Sequence, residues 1–149
     1  MPDAPWIILL VEDNSDHAEL VRRSFQNYPL ANQIYHVSDG EAALAYLSQK
    51  VDSLESTPPS APRPHLILLD LRLPKIDGLE VLREIKADTE LRRIPVVVLT
   101  TSEAQGDLIG AYDNHVNSYL VKPLGFANFT QLMNDVGDYW LDKNRQPGP

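Results

Sequence analysis

The sequence has 149 residues, 43% of them apolar, no cysteine and a net charge of −8 at neutral pH. This length fits one domain with a well-buried core, and the lack of cysteine excludes disulfides, thiolate catalysis and cysteine metal sites. An acidic chain repels the nucleic-acid backbone, so we expect no nucleic-acid partner. Because no apolar run approaches the roughly 20 residues that cross a bilayer, and the first residues lack the basic stretch of a secretory signal, we expect a cytoplasmic protein without membrane contact.

Short apolar runs alternate with helical patterns along the chain. Continuous runs of this kind are typical of strands buried on both faces of a parallel sheet, and they lie at 6–11, 65–69, 95–99 and 118–121. Alternating polarity predicts an edge strand at 33–37. Apolar side chains spaced three or four residues apart predict helices, which lie at 16–27, 40–49, 79–87, 103–112 and 126–141.

A strand followed by a helix thus occurs five times, which predicts an α/β fold: a doubly wound five-stranded parallel sheet flanked by five helices. We expect a single domain over 1–149 with its core at about 6–141. The proline-rich stretch 48–64 predicts a long, mobile surface loop, and 143–149 a disordered tail. In such sheets ligands bind beyond the carboxyl ends of the strands, so functional residues are expected just after each apolar run.

Acidic residues follow two of the predicted strands. Glu12 and Asp13 come directly after the first apolar run, and Asp70 follows the run at 65–69. If these strands are neighbours, three carboxylates converge, which is unfavourable unless a cation or a proton lies between them. Hard oxygen ligands of this kind suit Mg²⁺. The alternative for the acidic pair is an ordinary role at a helix N-terminus, where the helix dipole favours negative charge.

Two further strand ends carry a hydroxyl and a positive charge. Thr100 ends the run at 95–99, and Lys122 ends the run at 118–121. Carboxylates, a hydroxyl and a lysine at successive strand ends predict a phosphoryl-transfer site, in which the metal and the lysine neutralise charge while a carboxylate attacks. Thr100 is also open to interpretation as an ordinary turn hydroxyl. The four histidines show no metal-ligand spacing, and His17 is interpreted as a surface side chain near the cleft rim.

Five motifs in order resemble the response regulator receiver family: Val-Glu-Asp-Asn at 11–14, Leu-Leu-Asp-Leu-Arg-Leu-Pro at 68–74, Asp-Gly at 77–78, Pro-Val-Val-Val-Leu-Thr at 95–100 and Lys-Pro at 122–123. The resemblance spans about 6–141, nearly the whole chain. It implies the flavodoxin-like receiver fold, with the strand order 2-1-3-4-5.

The resemblance also implies a role for each acidic residue. Asp70 is expected to accept the phosphoryl group and to ligate Mg²⁺. Asp13 is expected to be a direct Mg²⁺ ligand, and Glu12 to hold the metal mainly through water. The backbone carbonyl of Arg72 is expected to complete the protein ligands.

The same resemblance assigns the switch. Lys122 is expected to pair with the phosphoryl oxygens, the Thr100 hydroxyl to bond one of them, and Tyr119 to change rotamer on phosphorylation. Tyr119 also fits a half-buried strand aromatic with no such role. Arg72 and Thr101 stand where members of the family frequently carry smaller residues. We expect these two differences to change the lifetime of the phosphorylated state, without a predicted direction.

Three features resemble the small stand-alone regulators paired with bacterial and cyanobacterial phytochromes: the proline-rich insert, the Asp-Leu-x-Leu-Pro motif and the ending Tyr139–Leu141. They imply a phosphorelay protein that receives its phosphoryl group from a phytochrome-like sensor histidine kinase and has no enzymatic turnover beyond its own phosphorylation and slow autodephosphorylation. Apolar side chains at the end of the last helix, Tyr139, Trp140 and Leu141, indicate a surface for a partner or a homodimer if they are exposed. One alternative is a phosphohydrolase of haloacid-dehalogenase type, which normally needs a second aspartate where Arg72 stands. Another is a purely structural receiver.

Overall fold

The sheet consists of β1 (Trp6–Val11), β2 (Asn32–Val37), β3 (Leu66–Leu69), β4 (Val96–Thr100) and β5 (Ser118–Val121). The structure of the protein is a computed structural model that describes residues 4–48 and 62–147. All neighbouring strands are parallel, and their order is β2-β1-β3-β4-β5. This confirms the predicted 2-1-3-4-5 sheet. Residues 49–61 of the loop predicted at 48–64 lie outside the described residues.

Five α-helices connect or follow the strands: α1 (Ser15–Gln26), α2 (Gly40–Leu47), α3 (Gly78–Ala87), α4 (Gln105–Asp113) and α5 (Phe126–Gly137). The first four lie within two residues of their predicted bounds. None of the helices in the described ranges is long and apolar enough to span a membrane.

The end of the last helix differs from the prediction. The α-helical part stops at Gly137, and a wider π-helical turn covers Asp138–Lys143. In this turn the Asn144 N–H donates to the Tyr139 carbonyl, five residues earlier. The turn leaves Trp140 and Leu141 packed in the core.

Each face of the sheet covers its own hydrophobic core. Successive side chains of a strand point to opposite faces, so each buried strand supplies both cores, which explains its continuous apolar sequence. The core under α2, α3 and α4 contains Leu9, Val11, Ile67, Leu69, Val96, Val98, Val81, Leu82 and Ile85. The core under α1 and α5 contains Ile8, Leu10, Leu66, Leu68, Val97, Leu99, Val21, Phe25, Phe129, Met133 and Val136.

Candidate functional site

Three carboxylates meet at the carboxyl edge of the sheet. Glu12 and Asp13 follow β1, and Asp70 follows the neighbouring strand β3. Each offers an oxygen within 4.8 Å of the others. Glu12 and Asp70 are buried, whereas Asp13 is exposed. A cluster with two buried acids and one accessible acid can bind a divalent cation that enters from solvent and keeps part of its water shell.

Lys122 supplies positive charge to this cluster from the end of β5. Its Nζ donates to Glu12 Oε1 at 2.6 Å and to Asp70 Oδ2 at 3.1 Å. Its side chain is only 4% exposed, and its backbone N–H donates to the Thr100 carbonyl at 2.7 Å. Because both the backbone N–H and the amine of Lys122 are hydrogen-bonded, the ammonium is a fixed charge between two carboxylates.

His17 also belongs to this group, so its interpretation as a surface side chain is wrong. Lys122 Nζ donates to His17 Nδ1 at 2.8 Å, and His17 is half-buried. The cause is the start of α1: the Asn14 side chain caps the helix by accepting from the Asp16 and His17 N–H groups. This cap places His17 in the first turn, beside the sheet edge. The sequence does contain a signal for this contact. His17 follows Asp13 by four residues and lies in the first turn of a helix that begins at the edge of the sheet where the acids lie.

The protonation of the site follows from burial and from Lys122. Burial raises the pKa of Glu12 to about 7, although Lys122 opposes the shift. Burial would also raise the pKa of Asp70, but the Lys122 charge and the hydrogen bonds from the Arg72 N–H and from Lys122 lower it. Burial, together with the Lys122 charge, lowers the pKa of His17. The lowered pKa values leave Asp70 ionised and His17 neutral at neutral pH.

A second chain of contacts lies on the α4 side of the cleft. Thr100 is fully buried, and its Oγ1 accepts from the Ser102 N–H at 3.3 Å. The Tyr119 hydroxyl donates to the Ser102 carbonyl at 3.0 Å, and the Ser102 hydroxyl donates to Asp107. Asp107 also pairs with the guanidinium of Arg72, which is 61% exposed. Arg72 therefore links the loop after β3 to α4, a contact that the sequence does not predict.

A doubly wound parallel sheet with carboxylates, a lysine and a hydroxyl at its carboxyl edge is the arrangement expected of a receiver domain. The chain matches the response regulator receiver domain family over residues 8–134 and belongs to that family. It is 52% identical over 145 residues to the probable methanogenesis regulatory protein FilR2 of Methanothrix harundinacea, covering 97% of this chain and 90% of FilR2. It is 43% identical over 138 residues to the response regulator Rcp1 of Synechocystis sp., covering 93% and 90%.

Solved structures agree with this assignment. The phosphorylated cyanobacterial phytochrome response regulator RcpA superposes with a TM-score of 0.88 at 41% identity, covering 97% of this chain and all of RcpA (100%). The Mn²⁺-bound form of Rcp1 superposes with a TM-score of 0.86, also at 41% identity, over 97% of this chain and 100% of Rcp1.

The family assignment bears on the phosphohydrolase alternative and on the cofactor. Receiver domains are signalling proteins rather than classical enzymes, so the haloacid-dehalogenase alternative is not supported. Mg²⁺ is the cofactor that receiver domains bind at such an acidic pocket, and three carboxylate oxygens within 4.8 Å of one another fit a hard divalent cation.

Proposed function

We propose that this protein is a stand-alone response regulator that accepts a phosphoryl group on Asp70 from a sensor histidine kinase. The observation that carries the proposal is the position of Lys122, which bonds both Glu12 and Asp70 in a buried site beside the accessible Asp13. A lysine with a purely structural role needs no cluster of acids open to solvent on one side.

In the proposed reaction the ionised carboxylate of Asp70 attacks the phosphorus of a phosphohistidine. A P–O bond forms, the P–N bond breaks, and its electron pair stays on the donor imidazole. Mg²⁺, held by Asp13, Asp70, the Arg72 carbonyl and, through water, Glu12, would neutralise charge on the phosphoryl oxygens. Lys122 is positioned to bond one of these oxygens, because its ammonium already lies 3.1 Å from the attacking carboxyl group.

Phosphorylation is proposed to act on the partner-binding face through Thr100 and Tyr119. The Thr100 hydroxyl turns from the Ser102 N–H to a phosphoryl oxygen, and Tyr119 leaves the Ser102 carbonyl for the space that opens. The face that responds is formed by α4, β5 and α5. It carries the exposed apolar side chains Ile109, Tyr112 and Val121.

The partner is proposed to be a phytochrome-like histidine kinase of the cytoplasm, a choice supported by the similarity to Rcp1 and RcpA. A homodimer through the last helix is proposed to use Tyr139, which is 51% exposed. Trp140 is packed in the core instead, so Trp140→Ala would perturb the fold as well as any dimer. Sedimentation of Tyr139→Ala over a concentration series tests this surface, and an unchanged association constant excludes it.

The acceptor is tested by incubating the protein with Mg²⁺ and acetyl phosphate and measuring the intact mass. We expect a gain of one phosphoryl group in the parent, none in Asp70→Asn, and none when a chelator is added first. An equal gain in Asp70→Asn contradicts the acceptor, and a gain despite the chelator contradicts the metal requirement. No gain from acetyl phosphate or from phosphoramidate, whose P–N bond resembles that of phosphohistidine, contradicts the proposed function itself.

A further inference from the structure

The Lys122 ammonium has three hydrogen-bond acceptors of two kinds. Glu12 and Asp70 are acids of the metal-binding cluster. His17 is a neutral ring on α1 that bonds the amine at 2.8 Å, with both groups removed from full solvent contact. An ammonium group carries three N–H donors, so these three acceptors satisfy it completely.

The two acidic acceptors change when the site is used. After transfer, the attacking oxygen of Asp70 is bonded to phosphorus in an acyl phosphate and the carboxyl group has lost its charge, which makes it a weaker acceptor. Glu12 is shared with the metal site. The third acceptor lies outside the cluster of three acids, so its bond to the amine is available before and after transfer.

We propose that His17 is a positioning residue: it holds the Lys122 ammonium in place while the N–H that pointed at Asp70 turns to a phosphoryl oxygen. This proposal rests on the proposed function of Lys122 and goes beyond it, because it assigns a role in phosphoryl transfer to a residue of α1 whose side chain is hydrogen-bonded to Lys122 rather than to the acceptor or the metal ligands.

The surroundings of His17 make its loss consequential. A cavity of about 280 Å³ adjoins it, lined mainly by apolar side chains that include Leu20, Pro123 and Phe129. A water molecule bound there in place of the imidazole would be less firmly held than a side chain anchored in the first turn of a helix. The ammonium would then be fixed at fewer points during transfer, and its contribution to charge neutralisation would fall.

Two substitutions separate the hydrogen bond from the shape of the side chain. In His17→Asn, Oδ1 stands the same number of bonds from the backbone as Nδ1 does in histidine, so the acceptor is kept. In His17→Leu, a methyl group takes that place. We expect His17→Leu to accept the phosphoryl group from acetyl phosphate about 3- to 10-fold more slowly than the parent, the effect of one lost hydrogen bond, and His17→Asn to stay within about twofold. The small donor removes any effect of His17 on kinase docking.

A second measurement needs no phosphoryl transfer. In protein labelled with ¹⁵N-lysine, we expect the Lys122 ammonium hydrogens to exchange with water faster in His17→Leu than in the parent and in His17→Asn. Mg²⁺ affinity and the midpoint of thermal unfolding are the controls, and both should stay close to the parent values in the two variants.

The outcomes separate this proposal from the proposed function. A parent rate in His17→Leu overturns the positioning role, as does an equal loss in His17→Leu and His17→Asn. If the parent itself is not phosphorylated, the proposed function fails, and the ammonium exchange alone judges the contact: unchanged exchange in His17→Leu overturns it.

Discussion

Two lysines of this protein each have three hydrogen-bond acceptors, at opposite edges of the same sheet. Lys122 lies at the carboxyl edge, among acids and a histidine. Lys86, on α3, lies at the amino edge, where its Nζ donates to the Arg92 and Ile94 carbonyls at 3.1 and 3.2 Å and to Asn117 Oδ1 at 2.9 Å. The two amines thus have the same number of bonds and differ in the charge around them.

The difference in charge separates a reactive site from a structural one. Neutral oxygens compensate an ammonium group less than carboxylates do, and burial lowers the pKa of Lys86 to about 8. Lys86 joins α3 to the segments that enter β4 and β5, and Asn117 Oδ1 also accepts from the Val96 N–H at 2.8 Å. Lys122 instead lies between carboxylates, which in the proposed function bind Mg²⁺ while its ammonium bonds a phosphoryl oxygen.

The largest expected effect separates the two lysines by function. Lys122→Met should slow phosphorylation by acetyl phosphate by about 100-fold or more, since one donor to the developing charge is lost. Lys86→Met should stay within about twofold of the parent, because it removes an equally bonded lysine far from the carboxylates. Rates are followed by intact mass, with circular dichroism as a check of folding. An equal loss of phosphorylation rate in both variants would show that the rates reflect loss of folding and not the chemistry of the site.

The second prediction concerns stability, and here Lys86→Met is the variant under test rather than the control. Lys86→Met leaves the Ile94 carbonyl, which lies in a part-buried contact, without its lysine partner, and an unsatisfied buried polar group costs about 1–3 kcal/mol. Because the Arg92 carbonyl is exposed and can bond water instead, we expect a loss of about 1 kcal/mol in the free energy of unfolding, measured with urea at pH 7. Lys143→Met, at an exposed position of the π-helical turn, is the matched control and should change it by less than about 0.5 kcal/mol. A loss below that limit in Lys86→Met would contradict the structural role.

The sequence predicts much of this architecture because periodicity reports burial. The buried strands and the five helices follow from apolar spacing, and the residues at the strand ends follow from the rule for ligand sites in parallel sheets. The 3₁₀ turn Leu91–Arg93 and the π-helical turn Asp138–Lys143 are not predicted. Their backbone hydrogen bonds differ from those of an α-helix, but the apolar pattern does not record that difference.

Side-chain contacts across the fold are the part that the sequence misses. Asp70 and Lys122 can be predicted as neighbours because both end strands of one sheet. The bond from Lys122 to His17 and the pair between Arg72 and Asp107 join residues of different elements. Such contacts depend on the direction of a helix turn or a loop, which no spacing in one sequence specifies.

Mg²⁺ should stabilise the protein through the carboxyl edge alone. At a concentration ten times the dissociation constant, binding to the folded state adds about 1.4 kcal/mol to the free energy of unfolding. Lys86→Met should gain the same increment as the parent, since its substitution lies at the other edge. Asp13→Asn, which removes the accessible carboxylate of the cluster, should gain less. Urea unfolding with Mg²⁺ and with a chelator measures each increment, and an equal gain in Asp13→Asn would exclude Asp13 as a ligand.

A further expected effect is a pH dependence of stability that belongs to Lys86. Its pKa is about 8 in the folded protein and 10.5 in the ordinary unfolded state, so the unfolded chain binds more protons between these values. Stability contributed by this group therefore rises as the pH increases from about 8 towards 10.5. Lys86→Met lacks the group, so the stability difference between the parent and Lys86→Met should widen from pH 7.5 to pH 10.

Three tyrosines of the unfolded chain titrate near the upper end of this range, and the comparison of the two proteins removes their effect. Burial raises the pKa of Tyr28 and Tyr119 and raises that of Tyr46 to about 12, so all three withdraw stability above their unfolded value of 10. All three are present in the parent and in Lys86→Met, and their contributions cancel in the difference. Urea unfolding of the two proteins at pH 7.5, 9 and 10 makes the measurement. A difference that stays constant or narrows would show that the three oxygens around Lys86 compensate its burial as fully as carboxylates would.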